Sequence, residues 1–183
     1  MGVIYTPPTK IEESDFINYM VFLAGSIEMG VAEDWQTTLS KELVDIPKLT
    51  ILNPRRPQWD NSWVQSLDNP IFKEQVDWEL DGIEKADLVI FYFDPNTKSP
   101  ITLLELGMVS QLVRLEKRII VCCPNGFYRK GNVDIVVHRM RESIRQNPFF
   151  PKDGFVSDYV MQAETLEELL DIAKRFLKYK TNL

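Results

Sequence analysis

The 183-residue chain is poor in the side chains that most metal and disulfide sites use: one histidine, His138, and two cysteines, Cys122 and Cys123. The cysteines are adjacent in an apolar run. Neighbours on a strand point to opposite faces, so no ordinary disulfide is expected between them. Without a C-x-x-C pair, a zinc site is not expected. With a single imidazole, neither a serine nor a cysteine triad is in view. The pattern G-x-G-x-x-G is missing, which leaves a dinucleotide site without support, and no cofactor or metal is expected. No stretch approaches the ~20 uncharged apolar residues of a membrane span. Met1 to Asp15 carries Pro7, Pro8 and several charges but no apolar core of the signal-peptide kind. Basic residues are outnumbered, 21 Lys and Arg against 27 Asp and Glu, for a net charge of −6. A chain of this charge without a long basic run is a poor binder of phosphate backbones. The expectation is a cytoplasmic enzyme or small-ligand binder with no nucleic acid and no membrane as partner.

What is present is ordinary for a globular protein: 44% hydrophobic and 26% charged residues. The length fits one domain, expected to span residues 1–183. Short apolar runs alternate with amphipathic ones. Strands are expected at Met20–Ser26, Leu49–Asn53, Asp87–Phe93 and Arg118–Cys123, with an edge strand over Phe155–Met161. Helices are expected at Ala32–Val44, Pro70–Lys85, Thr102–Leu115, Asn132–Arg145 and Thr165–Lys178. Pro70 suits a first helical turn, and Thr165 suits a cap. On the second helix Phe72, Val76, Leu80 and Ile83 form an apolar stripe. Leu166, Leu169, Leu170, Ile172, Ala173 and Phe176 mark the buried face of the last. This order predicts an α/β fold: a doubly wound (Rossmann- or flavodoxin-like), mostly parallel sheet of about five strands with helices on both faces. Ligands of such sheets bind beyond the carboxyl ends of the strands. Three polar segments should meet there: Gly25 to Gly30, the loop after Asn53, and Asp94 to Glu105.

Gly25 and the glycines near it serve either a tight turn or a backbone N–H cradle for a ribose or phosphate oxygen. Glu105 is flanked by Leu103, Leu104, Leu106 and Met108. A buried carboxylate is costly without a partner, so Glu105 is either a working group or one turned to solvent or bonded to backbone. Asp77 and Asp81 share one helix face and read as solvated. Glu79 points elsewhere, and two carboxylates in one cleft would suit glycosidic-bond chemistry. In the loop, Trp59 or Trp63 could stack on a base with Asp60 bonding its edge, or the aromatics simply pin the loop to the core. Arg55 and Arg56 fit surface salt bridges better than anion recruitment.

Four segments, F-L-A-G-S-I-E-M-G at 22–30, W-E-L-D-G-I-E-K-A-D at 78–87, S-P-I-T-L-L-E-L-G at 99–107 and G-N-V-D-I-V at 131–136, resemble the nucleoside 2-deoxyribosyltransferase family and its relatives, the deoxynucleoside and nucleoside monophosphate N-glycosidases. The resemblance implies that Glu105, in E-L-G, is the nucleophile. It places the carboxylate near the base at Glu79, where many relatives have aspartate. Ser99 stands where the transferases have aspartate and the monophosphate glycosidases serine. Ser26 matches a serine that contacts the 5′-phosphate in those glycosidases, but Glu28 replaces a basic residue of their motif, which opposes a phosphate. Asn132 corresponds to an asparagine that reaches in from a neighbouring subunit. The implied site is therefore Glu105 and Glu79 as catalytic groups, with Gly25, Ser26, Trp59, Asp60, Asp94, Ser99 and Asn132 binding substrate.

The implied activity moves a (deoxy)ribosyl group between nucleobases through a covalent glycosyl–glutamate intermediate. Its partners would be a nucleoside or nucleotide, a free nucleobase, and further copies of the chain in a homo-oligomer. N-glycoside hydrolysis of nucleosides or their monophosphates, and non-catalytic nucleotide sensing, are the alternatives.

Overall fold

The computed structural model describes residues 1–28, 31–60, 62–112, 117–148 and 159–181. The strands are β1 (Val3–Tyr5), β2 (Tyr19–Gly25), β3 (Leu49–Leu52), β4 (Leu88–Tyr92), β5 (Arg118–Cys122) and β6 (Val160–Ala163). The α-helices are α1 (Trp35–Leu43), α2 (Pro70–Lys85), α3 (Pro100–Leu112), α4 (Lys130–Gln146) and α5 (Leu166–Thr181), and a 3-10 turn spans Glu13–Ile17. The six strands form one sheet in the order β1-β3-β2-β4-β5-β6, and every pairing is parallel. This is the doubly wound α/β fold expected, with one strand more. The added strand, β1, is three residues long and half exposed, too short to show a period; it exists because its backbone pairs with β3 at the sheet edge.

Alternate residues of each central strand feed two cores. Phe22, Val89, Phe91, Ile119 and Val121 face α2, α3 and α4. Val21, Leu23, Ile90 and Ile120 face α1 and α5. Cys122 and Cys123 divide the same way, one to each core, and both are free. Because both faces are covered, these strands are apolar throughout rather than alternating.

Local chemistry sets the helix ends. The α1 helix starts three residues later than its apolar pattern, at Trp35, because the Asp34 carboxylate accepts the Thr37 N–H as an N-cap. Asn69 caps α2 ahead of Pro70. Thr165 Oγ1 accepts the Glu168 N–H as an N-cap, and the Glu168 carboxylate reaches one residue further back to accept the Glu164 N–H. The α3 helix begins at Pro100, two residues earlier than expected, and its expected last residues, like 155–158 of the expected edge strand, lie outside the described residues.

The apolar stripe expected on α2 is not its buried face. Leu80 is 40% exposed, and Phe72 and Val76 are half-buried. Of the stripe only Ile83 is fully buried, and Gln75 and Gly82 are buried beside it, because Gly82 brings the helix close over the Phe22 ring. That rotation turns a polar residue inward. At the far end of α2 the Lys117 ammonium donates to the carbonyls of Ile83, Glu84 and Ala86, supplying both the missing hydrogen bonds and the favoured charge.

Gly25 closes β2 where the Trp35 ring crosses the strand end. A Cβ there would lie 2.5 Å from Trp35 Cζ2 and 2.6 Å from the Tyr92 carbonyl oxygen. Neither the buried ring nor the β4 backbone can yield without loss. Gly25→Ala is expected to cost about 2 kcal/mol, in the range of core overpacking. A urea titration showing an unchanged midpoint would contradict this account of the glycine.

Candidate active site

The strand order reverses between β2 and β4, so the segments leaving their carboxyl ends diverge and open a crevice. Ser26, first residue after β2, joins these segments. Its Oγ lies 2.9 Å from Thr97 Oγ1 and 2.5 Å from Ser99 Oγ, and it accepts the Asp94 N–H at 3.0 Å. Thr97 Oγ1 in turn donates to the Asp94 carbonyl at 2.9 Å. All three hydroxyls are buried. The Ser26 carbonyl accepts the Trp35 indole N–H at 3.2 Å, tying α1 to the same point.

Asp94 is buried and holds two loops in place. Its Oδ1 accepts the N–H groups of Asn96, backbone and side chain, and its Oδ2 accepts the Glu33 N–H. Ser99 has φ 44°, a conformation that costs a non-glycine residue roughly 1–2 kcal/mol. Its N–H and that of Lys98 both donate to Glu28 Oε1, at 3.0 and 2.8 Å. Glu28 is exposed, and its carboxylate occupies the backbone donors leading into α3. Met29 and Gly30, also in this segment, lie outside the described residues.

The two glutamates stand on neighbouring helices over the same face of the sheet. Glu105, in the second turn of α3, is 8% exposed. Its carboxyl accepts no hydrogen bond from the described residues. Burial, with repulsion from Glu79 second, pushes it up to about 8. Glu79, on α2, is half-buried as a residue, but its carboxyl end is enclosed, and burial pushes it up to about 7 against a hydrogen bond from Gln75 that pulls it down. Close, buried carboxyls cannot both ionise cheaply, so they titrate as a pair. Near neutral pH such a pair holds one proton and one negative charge.

Other expected residues make contacts of their own. Trp59 packs edge-on against Trp63 at 5.1 Å between ring centroids, and the Arg56 guanidinium lies over Trp63 while pairing with Glu74 of α2 at 3.1 Å. The two rings thus pack on one another, and Arg56 ties the loop to α2 through Glu74. Asp60 Oδ1 accepts the Ser62 N–H in a local turn, and its bonds to Ser62 hold the carboxyl below the usual range. Asn132, in the first turn of α4, lines a groove of about 310 Å³ with Leu103, Leu106, Gly107, Arg129 and Val133; Glu105 is not part of that lining. A larger hollow of about 630 Å³ lies between α1 and α5, lined by Lys41, Glu42, Lys174 and Lys178 among others, and holds none of the expected site residues. Asp77 and Asp81 are exposed and pair with Lys73 and Lys85, the solvated face expected. His138 is exposed on α4.

Two residues at the site were not singled out from the sequence. Thr97 completes the hydroxyl cluster, and its position two residues before Ser99 carries no pattern. Gln75 is buried beside Glu79. It lies four residues before it, hence on the same helix face, and that spacing was the available signal.

Both carboxyls bind protons more tightly in the folded chain than in the unfolded one. Their contribution to stability is therefore whole below about 4.5, the ordinary glutamate value, and is lost as pH rises through about 7 and 8. The melting temperature of the wild-type protein is expected to fall between pH 5 and pH 8 relative to that of the Glu79→Gln/Glu105→Gln variant. Parallel curves for the two proteins would mean that the carboxyls are not desolvated.

Similarity to known proteins bears on this geometry. A family model described as "Nucleoside 2-deoxyribosyltransferase like" matches residues 18–127, more than half of the chain, from the start of β2 to the turn before α4. The span contains Ser26, Glu79, Asp94, Ser99 and Glu105. No curated protein matches the chain. By this match the chain belongs to the nucleoside 2-deoxyribosyltransferase-like family, an assignment that supports a general role in glycosyl transfer or hydrolysis.

Proposed function

We propose that the protein transfers a (deoxy)ribosyl group from one nucleobase to another by way of a glycosyl ester on Glu105. The observation that carries this reading is the pair of buried, mutually repelling carboxyls of Glu79 and Glu105, one of them without a hydrogen-bond partner among the described residues. In the first step a Glu105 oxygen bonds to C1′ as the C1′–N bond breaks and its electron pair stays on the base. Glu79 gives the departing base a proton. The transition state carries positive charge on the sugar, which an adjacent carboxylate stabilises. In the second step a nitrogen of the incoming base bonds to C1′, Glu105 leaves as carboxylate, and Glu79 takes back a proton. The pair thus enters the first step with one proton, gives it up with the departing base, and regains one from the incoming base in the second.

The hydroxyl cluster and Glu28 bear on the 5′ end of the substrate. The Ser26, Thr97 and Ser99 hydroxyls are bonded to one another, and the N–H groups of Lys98 and Ser99 already face a carboxylate. A phosphate approaching these donors would meet the Glu28 charge. At ~4 Å and an effective dielectric near 20 that repulsion is about 4 kcal/mol, reduced by salt because Glu28 is exposed. This supports a free nucleoside as substrate. The same reading makes the protein a homo-oligomer, supported by the exposed apolar residues Ile101, Leu104 and Met108 on the outer side of α3.

Glu105→Ala is expected to abolish release of free base from deoxynucleosides, with the circular dichroism spectrum of the fold kept. A 2-fluoro-2-deoxyribosyl substrate should leave a covalent label on Glu105. Label on another carboxylate, read by mass spectrometry, or turnover in the variant would refute the mechanism. Incubation with deoxyinosine, with and without adenine, separates transfer from hydrolysis.

Deoxyadenosine is expected to have a higher kcat/KM than its 5′-monophosphate. Glu28→Gln should narrow that ratio by about tenfold or more, since 1.4 kcal/mol of relieved repulsion is already a factor of ten. A wild-type preference for the monophosphate would contradict the assignment of Glu28.

A further inference from the structure

Gln75 is 3% exposed and spends its side-chain NH2 on two acceptors. Nε2 donates to the Pro54 carbonyl at 2.9 Å and to Glu79 Oε1 at 2.7 Å. Its own Oε1 is buried with no hydrogen-bond partner among the described residues. Buried polar atoms are almost always paired, and each exception calls for a reason. Here the reason is orientation. Turning the amide over would aim its oxygen at the Pro54 carbonyl, which can only accept. The Pro54 carbonyl, in the loop after β3, therefore keeps the NH2 group facing Glu79 whether or not Glu79 carries a proton, and the unpaired oxygen is the cost of that lock.

A donor fixed in this way favours the carboxylate over the carboxylic acid. Among the described residues, these groups bear on the pair. Glu79 is acted on by the Gln75 amide, Glu105 by Glu79, and Glu74, next to Gln75, is occupied by Arg56. We propose that Gln75 is a positioning residue: locked by the Pro54 carbonyl, its amide holds Glu79 as the ionised member of the carboxyl pair, ready to accept a proton. This rests on the transfer reaction proposed above and assigns Gln75 to its second step. There the incoming base forms the C1′–N bond and loses its N–H proton to Glu79, while the C1′–O bond to Glu105 breaks and its electrons return to the Glu105 carboxylate. In the free protein the remaining proton sits on Glu105, and substrate binding must move it to Glu79 before the first step.

The test uses the full chain. Carboxyl carbons of glutamate labelled with carbon-13 are followed by NMR across pH 4 to 10, assigned with Glu79→Gln and Glu105→Gln. Glu79 should titrate before Glu105; the reverse order overturns the proposal. In Gln75→Met, which keeps the volume and removes the donor, the Glu79 titration should move up by about one pH unit, the share of one hydrogen bond in lowering a carboxyl. The acid limb of kcat/KM for deoxyinosine should move with it. An unmoved Glu79 titration in a folded Gln75→Met protein also overturns the proposal, because a merely structural glutamine would lower the melting temperature without shifting it. If the variant does not fold, the wild-type order of titration decides. These titrations need no substrate, so a protein that shows the shift yet cleaves no nucleoside would refute the function proposed above and leave the proton placement standing.

Discussion

The parallel pairing of β2 with β4 is the constraint on which the rest of the molecule hangs. These strands are not consecutive: β3 lies on the far side of β2, so the chain must leave the centre of the sheet, build β3, and cross back over β2 through α2. That return places α2 beside α3 on one face. It also places the segments following β2 and β4 side by side, where Ser26, Thr97 and Ser99 share one cluster of hydrogen bonds. If β2 and β4 were separated, the cluster, the capping of the α3 approach by Glu28 and the meeting of Glu79 with Glu105 would all be lost together.

The carboxyl pair runs against the economy of that fold. An apolar sheet face covered by helices gains stability with every buried methylene, roughly 0.8 kcal/mol each, whereas a carboxylate there loses its hydration. Two such groups within range of one another compound the loss. The chain softens it in unequal ways: Glu79 receives one hydrogen bond from Gln75, and Glu105 receives none from the described residues. An arrangement that leaves one acid unsupported is poor design for stability alone, and functional sites are where such perturbed carboxyls cluster.

The segments around the carboxyls do different work. Asp94 and the hydroxyl cluster spend their hydrogen bonds on the protein itself, fixing loop shape, and the tryptophans of the 54–69 loop pack on each other and on Arg56. Pro54, at the start of that loop, reaches Gln75 and through it Glu79. The loop thus reaches Glu79 through a carbonyl group, while its aromatic side chains pack on one another and on Arg56.

Much of this was legible in the residues. The runs Tyr19–Gly25 and Leu88–Tyr92, buried on both faces, are apolar at every period, and Pro70 after Asn69 announces α2 to the residue, because such signals act within one turn of chain. The positions of Glu79 and Glu105 were legible too, through their local motifs. Other features were not. The strand β1 is too short to carry a pattern and is defined by pairing with residues more than forty positions away. The stripe Phe72, Val76, Leu80 and Ile83 marked the buried face of α2 only at Ile83, since Gly82 lets the helix approach Phe22 and turns Gln75 inward while Leu80 is exposed. What the residues alone determined is the α/β alternation, the helix caps and the presence of carboxyls in apolar surroundings, all consequences of short-range periodicity and turn chemistry. Which acids are desolvated beside one another, which hydroxyls are bonded to each other, and that a proline carbonyl orients a glutamine toward Glu79 were decided only by tertiary packing, because desolvation and hydrogen-bond geometry depend on neighbours that are distant along the chain.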